Sequence, residues 1–289
     1  MEGEFSELFE IADSVFQGTV LGPCLWNTFF ADISGPATST GGSEAMFADD
    51  LNVFQKFDRF TSTDEVTEKL GRCREKVHTW GKANRVSFDA SKEFIVIIHP
   101  RLSFGDPFKL LGCLLDTKLT MRHAVDAILS KVRPRIKALL RTRSHYSVPS
   151  LIEQFKTHVW GLMETHSGGI FHAATSILDQ LDRVQNHFLN ELSMPLEEAF
   201  LEFHFAPPTL RRNIAILGMI HKCVTDQAHP SFDALMPLFP GRAALRGNHS
   251  KQMYNHCNAL NVQWDLYRRS IFGMIDIYNN LSQEAVDFF

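Results

Sequence analysis

Several features common in extracellular, membrane and nucleic-acid-binding proteins are scarce in this chain. Its five cysteines, Cys24, Cys73, Cys113, Cys223 and Cys257, are scattered with no Cys-x-x-Cys pair. That argues against a zinc ribbon and against a disulfide scaffold, and fits a reducing interior. No secretory leader pattern and no run of about eighteen apolar residues occurs, so the chain is expected to be soluble and intracellular, with no membrane association. Overall cationic excess is also lacking: 29 Lys and Arg stand against 33 Asp and Glu, a net charge of −4, so the mean charge gives no support to a nucleic-acid partner. No internal repeat is found. What is abundant is apolar and aromatic surface, 44% and 11% of the 289 residues, enough to bury a core in one or two domains.

The charge is unevenly placed. Residues 1–16 carry only acidic side chains, whereas residues 117–152 carry Lys118, Arg122, Lys131, Arg133, Arg135, Lys137, Arg141 and Arg143 against Asp126 alone. A concentrated basic stripe matters for phosphate binding where a mean charge does not. Lys131 and Arg135 are one helical turn apart, and Arg133, Lys137 and Arg141 repeat at i, i+4 and i+8. One side of a rod is therefore expected to present a cationic row, with Lys131, Arg135 and Lys137 as contacts to a nucleic-acid backbone.

The most informative stretch is Ala45-Met46-Phe47-Ala48-Asp49-Asp50-Leu51-Asn52-Val53-Phe54. Two apolar, strand-like arms meet at what reads as a four-residue turn with two adjacent carboxylates at its tip. Oxygen ligands there suit Mg²⁺. Upstream stands Gln17-Gly18-Thr19-Val20-Leu21-Gly22-Pro23, running into Leu25-Trp26-Asn27-Thr28-Phe29-Phe30-Ala31-Asp32. Downstream come Trp80, Asn84-Arg85-Val86-Ser87-Phe88-Asp89-Ala90-Ser91-Lys92, and then Leu110-Leu111-Gly112-Cys113-Leu114-Leu115-Asp116.

In this order and spacing the blocks resemble the second half of a reverse transcriptase of the non-LTR retrotransposon kind. Phe155-Lys156 to Met163-Glu164, Leu181 to Phe188, Pro208 to Arg212, Leu217 to Lys222, Arg268 to Phe272 and Tyr278 to Leu281 extend the resemblance almost to Phe289. It implies an α+β fold: a partial polymerase palm of antiparallel sheet with helices over 1–116, an α-helical thumb-like region over 117–225, and a linker with a helical C-terminal extension over 226–289.

The resemblance also implies roles. Asp49 and Asp50 are expected as catalytic metal ligands for Mg²⁺, and Lys92 as a catalytic residue near the leaving pyrophosphate. Gln17, Gly18 and Phe47 are expected at the nucleotide and template, and Leu111 and Gly112 at the primer grip. The partners would be an RNA template, a DNA primer and deoxynucleotides. One part of the pattern is not found: an earlier strand carrying an Asp followed by an aromatic signature. The sixteen residues before Gln17 hold Glu2, Glu4, Glu7, Glu10 and Asp13 without it. Two ions about 3.5–4 Å apart need ligands from more than one direction. The expectation is a fragment that lacks an N-terminal half, holds Mg²⁺ weakly or not at all, and is inactive alone. The alternative is a non-catalytic nucleic-acid-binding remnant.

Local signals place the elements. Leu25 to Ile33 reads as a helix after the Gly22-Pro23 break. Ser62 with Glu65 makes a capping box, and Val66, Leu70, Cys73, Val77 and Trp80 recur at helical spacing. Phe94 to Ile98 reads as a buried strand. From Thr117 the period is helical: Met121, Val125, Ile128, Val132, Ile136 and Leu139 share one face, with Pro134 expected to kink the rod. Further helices carry Leu151 to Leu162, Ile177 to Leu192, and Ile214, Leu217, Ile220 and Val224, and a last one begins near Val262. His221, Cys223, His249, His256 and Cys257 fit no regular zinc finger and read as ordinary surface or core residues.

Overall fold

The computed structural model describes residues 18–58, 60–99, 106–232, 236, 249–255, 257 and 264–288. They form a mixed α+β chain, mainly helical, with antiparallel strands. Its contacts divide once, between Ile95 and Val96, which groups the Leu111-Gly112 turn with the later helices.

The first unit begins with helix α1 (Gly22–Phe30), continues through a 3₁₀ turn at Ala31–Ile33 and ends in the short α2 (Ser34–Thr38). Pro23 opens α1 in the first turn, where a missing N–H costs nothing. Next come β1 (Ser43–Phe47) and β2 (Asp50–Phe54), paired antiparallel from Ser43 opposite Phe54 to Phe47 opposite Asp50. The connection is therefore the two-residue loop Ala48-Asp49, the centre of a four-residue turn over 47–50 as expected. Helix α3 (Thr63–Ala83) follows, and the Ser62 hydroxyl accepts the Glu65 amide at 3.2 Å, as the capping signature implied. The carboxylate of Glu65 pairs instead with Lys69, 2.9 Å away and one turn on. Val66, Cys73 and Trp80 of α3 are buried. Of these, Trp80 joins Phe30 and Ile33 in a small aromatic core, onto which Trp26, Leu51, Val77, Val86 and Phe88 pack.

Gly81 is needed here. A Cβ on it would lie 2.7 Å from both the Phe88 ring and the Val86 carbonyl, so any larger residue would push the 86–88 segment off α3. Residues 94–98 form no strand and are not buried. Phe94 and Ile98 are 58% and 50% exposed. β-branched residues favour a strand only where a neighbouring edge and a packed face receive them; among the described residues, 94–98 pair with neither hairpin.

The second unit opens with β3 (Phe108–Leu110) and β4 (Cys113–Leu115), an antiparallel hairpin around Leu111-Gly112. The expected single palm sheet is thus two separate hairpins. Helix α4 (Arg122–Arg141) continues on both sides of Pro134, which is exposed. Helix α5 (Val148–Phe155) passes through a π turn at Lys156–Trp160 into α6 (Gly161–Glu164), then α7 (Ser167–Ile170), α8 (Thr175–Glu191) and α9 (Leu196–Phe203). Val125, Ile128, Val132, Leu151, Phe155, Leu181 and Phe188 form the centre of this core.

Helix α10 (Pro208–Val224) buries Ile216, Ile220 and Cys223, while Ile214 is 48% exposed. Of the expected face, Ile220 is buried and Leu217 and Val224 pack against the same core, while Ile214 falls outside it. Short helices α11 (Trp264–Arg269), α12 (Ile271–Asn279) and α13 (Gln283–Phe288) complete the unit, Tyr278 and Met253 being buried with α10. Among the described residues no helix is long and apolar enough to cross a membrane.

Candidate functional site

The hairpin β1–β2 presents its two acids by a simple alternation. Side chains on a strand point to opposite faces in turn, and Leu51 is the one held against the aromatic core. Asp50, its neighbour, must then share the outer face with Phe47, Asn52 and Ala45. Asp49 sits in the loop itself. Both acids are exposed, and neither has an ion pair or side-chain hydrogen bond among the described residues. Phe47 lies directly across from Asp50 and is 65% exposed. Carboxylates and an uncovered aromatic ring therefore occupy one open patch.

The loop is fixed from below. The Trp26 indole donates to the Ala48 carbonyl at 2.9 Å. That indole stacks on Phe30, centroids 5.0 Å apart, and Phe30 in turn meets Trp80 edge-on at 5.9 Å. Ala48 has φ +54°, a left-handed conformation disfavoured for any residue with a Cβ. The strain falls on the residue immediately before the acidic pair.

The other expected site residues stand as follows. Gln17 lies outside the described residues. Gly18 is exposed with φ +88°, which glycine alone adopts freely. Lys92 is exposed, its amine 3.8 Å from Asp89; the hydrogen bonds of Ser91 to Asp89, the largest cause, hold that carboxyl below its ordinary value. Nearby, Glu93 bridges Arg74 at 2.7 Å and His78 at 2.9 Å. The His78 hydrogen bond, chiefly, depresses the Glu93 carboxyl, with Arg74 adding to it. Among the described residues no three His, Cys, Asp or Glu side chains come together as a metal-binding group. The donor chemistry of Asp49 and Asp50 suits a hard cation, but they make up only part of a cage.

In the second unit Leu111 and Gly112 form an exposed turn with φ +46° and +81°. Asp116 then anchors the link to α4, accepting the amides of Lys118, Thr120 and Met121 at 3.0–3.1 Å and the Thr120 hydroxyl at 2.8 Å. Burial alone would raise its carboxyl, but these donors outweigh it and the net shift is downward. Lys131, Arg133, Arg135, Lys137 and Arg141 are all exposed on α4. They do not form one row. At about 100° per residue, Lys131 and Arg135 lie on one flank of the helix, and Arg133, Lys137 and Arg141 on the other. Spacing of i, i+4 from Lys131 and from Arg133 gives two separate rows.

The later blocks of the resemblance are brought together by the fold. Trp160 stacks on Phe205 at 5.0 Å, carries the Arg211 guanidinium 3.7 Å over its ring, and donates its indole N–H to buried Gln185. Arg211 is held by Glu164 through two contacts. Asp182 accepts the Thr209 amide at 3.0 Å and hydroxyl at 2.7 Å, capping α10, and pairs with buried Arg212. Asn279 brackets the backbone of Met253, and Tyr278 engages both His221 and His249. His256 lies outside the described residues. These polar clasps carry no periodic signal; only the recurrence of the same short blocks pointed to them.

Comparison with known proteins agrees with the resemblance. The RNA-directed DNA polymerase from mobile element jockey of Drosophila funebris is 30% identical over 181 residues, covering 56% of this chain and 19% of its own length. The probable RNA-directed DNA polymerase from transposon X-element of Drosophila melanogaster is 27% identical over 177 residues, covering 53% of this chain and 20% of its own length. No protein-family model matches, and no solved structure does. The chain therefore spans about a fifth of the length of these two relatives, and its similarity is to RNA-directed DNA polymerases of non-LTR retrotransposons.

Proposed function

We propose that this chain is a portion of a retrotransposon reverse transcriptase, contributing the Asp-Asp hairpin of the palm and a thumb-like helical region. The observation that carries the reading is the open Phe47-Asp49-Asp50 patch on a hairpin held by Trp26, in a chain similar to two RNA-directed DNA polymerases. In the intact enzyme Asp49 and Asp50 would hold Mg²⁺, which would neutralise charge on the transferring phosphoryl group. This chain's residues would do the rest: Phe47 packing near the base pair, Lys92 standing by the pyrophosphate, Leu111-Gly112 supporting a primer strand laid on an RNA template. Neighbouring residues on one hairpin end cannot surround two ions, so a further carboxylate strand must complete the cage.

A second reading, a non-catalytic nucleic-acid-binding remnant, is favoured by the exposed cations of α4. Primer extension separates the two. The purified polypeptide, given a primed RNA template, deoxynucleotides and Mg²⁺ or Mn²⁺, is expected to show no extension. Template-dependent synthesis that Asp49→Asn abolishes would overturn the inactivity and make the polypeptide a polymerase in its own right.

A further inference from the structure

We infer that the cavity between helices α10 and α13 is a binding site for a phosphate monoester carried on a flat ring, the chemistry of a nucleoside 5′-phosphate. None of its residues belongs to the Asp-Asp hairpin, to the Leu111-Gly112 turn or to α4. The inference therefore goes beyond the reading above and does not rest on it.

The cavity measures about 610 Å³, within the range of roughly 300–1,000 Å³ usual for small-molecule sites. One stripe of α10 supplies much of its lining. Ala215, Gly218, Met219, Lys222 and Thr225 follow at i, i+3, i+4, i+7 and i+10, on one helix face. A Cβ on Gly218 would meet nothing within 4 Å, so the helix is bare there toward open space. Asp287 of α13 and Lys251 of the segment before α11 also line the cavity, with His221.

These parts are tied together. The Gln283 side chain accepts the Ser250 amide at 3.1 Å and donates to Asp287 at 2.9 Å, joining α13 to the segment that carries Lys251. His249, 4% exposed, donates from Nε2 to the Tyr278 carbonyl at 2.9 Å. The Tyr278 hydroxyl holds His221 through Nδ1 at 3.0 Å, which sets the orientation of that ring.

The charge favours an anion. Lys222, Lys251 and His221 share the lining with one carboxylate, Asp287. Lys222 is exposed and forms no ion pair among the described residues. Lys251 stands 3.9 Å from Asp287, too far for a hydrogen bond. The negative end of α10 is blunted, because its last carbonyls are capped: His221 by the Thr225 amide, Lys222 by the Gln227 amide at 2.8 Å. Burial first, and then the charge of Lys251, lowers the proton affinity of His221; Asp287 acts the other way and His249 adds to the lowering.

Lysine ammonium groups bind phosphate as point charges, and two of them match a dianion. The Met219 thioether suits an aromatic ring, and the bare backbone at Gly218 lets such a ring lie against the helix. A phosphodiester within a strand has neither the second charge nor a free end to enter a cavity. The ligand is thus a free mononucleotide or the 5′-phosphorylated end of a strand.

The test is calorimetric titration of the whole 289-residue polypeptide with AMP, inorganic phosphate and adenosine, and with a short oligonucleotide bearing a 5′-phosphate or a 5′-hydroxyl. AMP should bind saturably and more tightly than phosphate or adenosine. Lys222→Gln and Lys251→Gln should each weaken it about tenfold. Gly218→Leu, which fills the cavity, should abolish binding, whereas Gly218→Ala should keep it. Both replace a helical glycine by a better helix former, so thermal melts should show no loss of folding. The His221 ring signal, assigned by its loss in His221→Asn, should titrate at higher pH with AMP bound, because the dianion stabilises the imidazolium. Binding by the 5′-phosphorylated oligonucleotide in preference to AMP, still blocked by Gly218→Leu, would name a strand end as the source of the phosphate. Failure of both to bind, or binding indifferent to Gly218→Leu and Lys222→Gln, would overturn the site. That failure would leave the reading of Asp49 and Asp50 untouched, because every lining residue lies in the second unit.

Discussion

The indole of Trp26 reaches across twenty-two residues of sequence to the carbonyl of Ala48, 2.9 Å away, and so couples the first helix to the turn that carries the acids. The bond joins the part of the unit with the best-packed aromatic rings to the part with the least cover. Trp26→Phe keeps a ring for the Phe30 stack and removes only the donor. The expected loss is small, about 0.5–1.5 kcal/mol and toward the lower end because the bond is exposed. Protection of the Phe47 and Asp50 amides from hydrogen exchange should fall more than that of α3 amides. Uniform loss across the unit would mean the indole acts through packing, not through the turn.

Ala48 offers a change in the opposite direction. A left-handed residue with a Cβ costs roughly 1–2 kcal/mol, and replacing it by glycine returns about 0.4–1 kcal/mol to the unfolded chain. Ala48→Gly should therefore be neutral or stabilise by up to about 1 kcal/mol, read from the urea midpoint, whereas Ala48→Val should destabilise. Clear destabilisation by glycine would show that the methyl group makes a contact worth more than the strain.

Glu93 gives the first unit a pH dependence. Its folded carboxyl is depressed below the ordinary 4.5 by His78 and Arg74, so its contribution is complete above that value and is lost as pH falls through the lower folded one. Because Arg74 is half exposed, the contribution at neutral pH is expected below about 1 kcal/mol. Glu93→Gln should lower stability at pH 7 and lose its effect near pH 3. Denaturant titrations of both proteins at the two pH values measure this; a penalty that persists unchanged in acid would assign it to packing.

The legible parts of the chain were those governed by local rules. The α3 cap at Ser62, the buried Val66, Cys73 and Trp80, and the apolar stripe of α4 all follow from spacing within a single element. The reading failed where the answer depended on a neighbour. Residues 94–98 have strand composition but pair with no strand among the described residues, and the burial of Arg212 on α10 goes with a partner, Asp182, thirty residues away. At the candidate site, the sequence named Asp49, Asp50 and Phe47, and their exposure together at one hairpin end came from the structure. Trp26's hold on the turn gave no signal, since a tryptophan before an aromatic pair looks like core alone.

The two-residue loop has a consequence for how such a chain ages. Leu51 is captive in the aromatic core, and the alternation of the strand therefore dictates which way position 50 faces. Trp26 does the same for position 48. Shape at the hairpin tip is thus maintained by residues with no stake in chemistry, and it would outlast the loss of any reaction. Nothing among the described residues maintains the acidity of positions 49 and 50: Asn at either would leave every neighbour undisturbed. Architecture and charge are decoupled there. In descendants of this chain, survival of the hairpin would say only that the unit still folds, while survival of both carboxylates would report that something outside the fold still uses them.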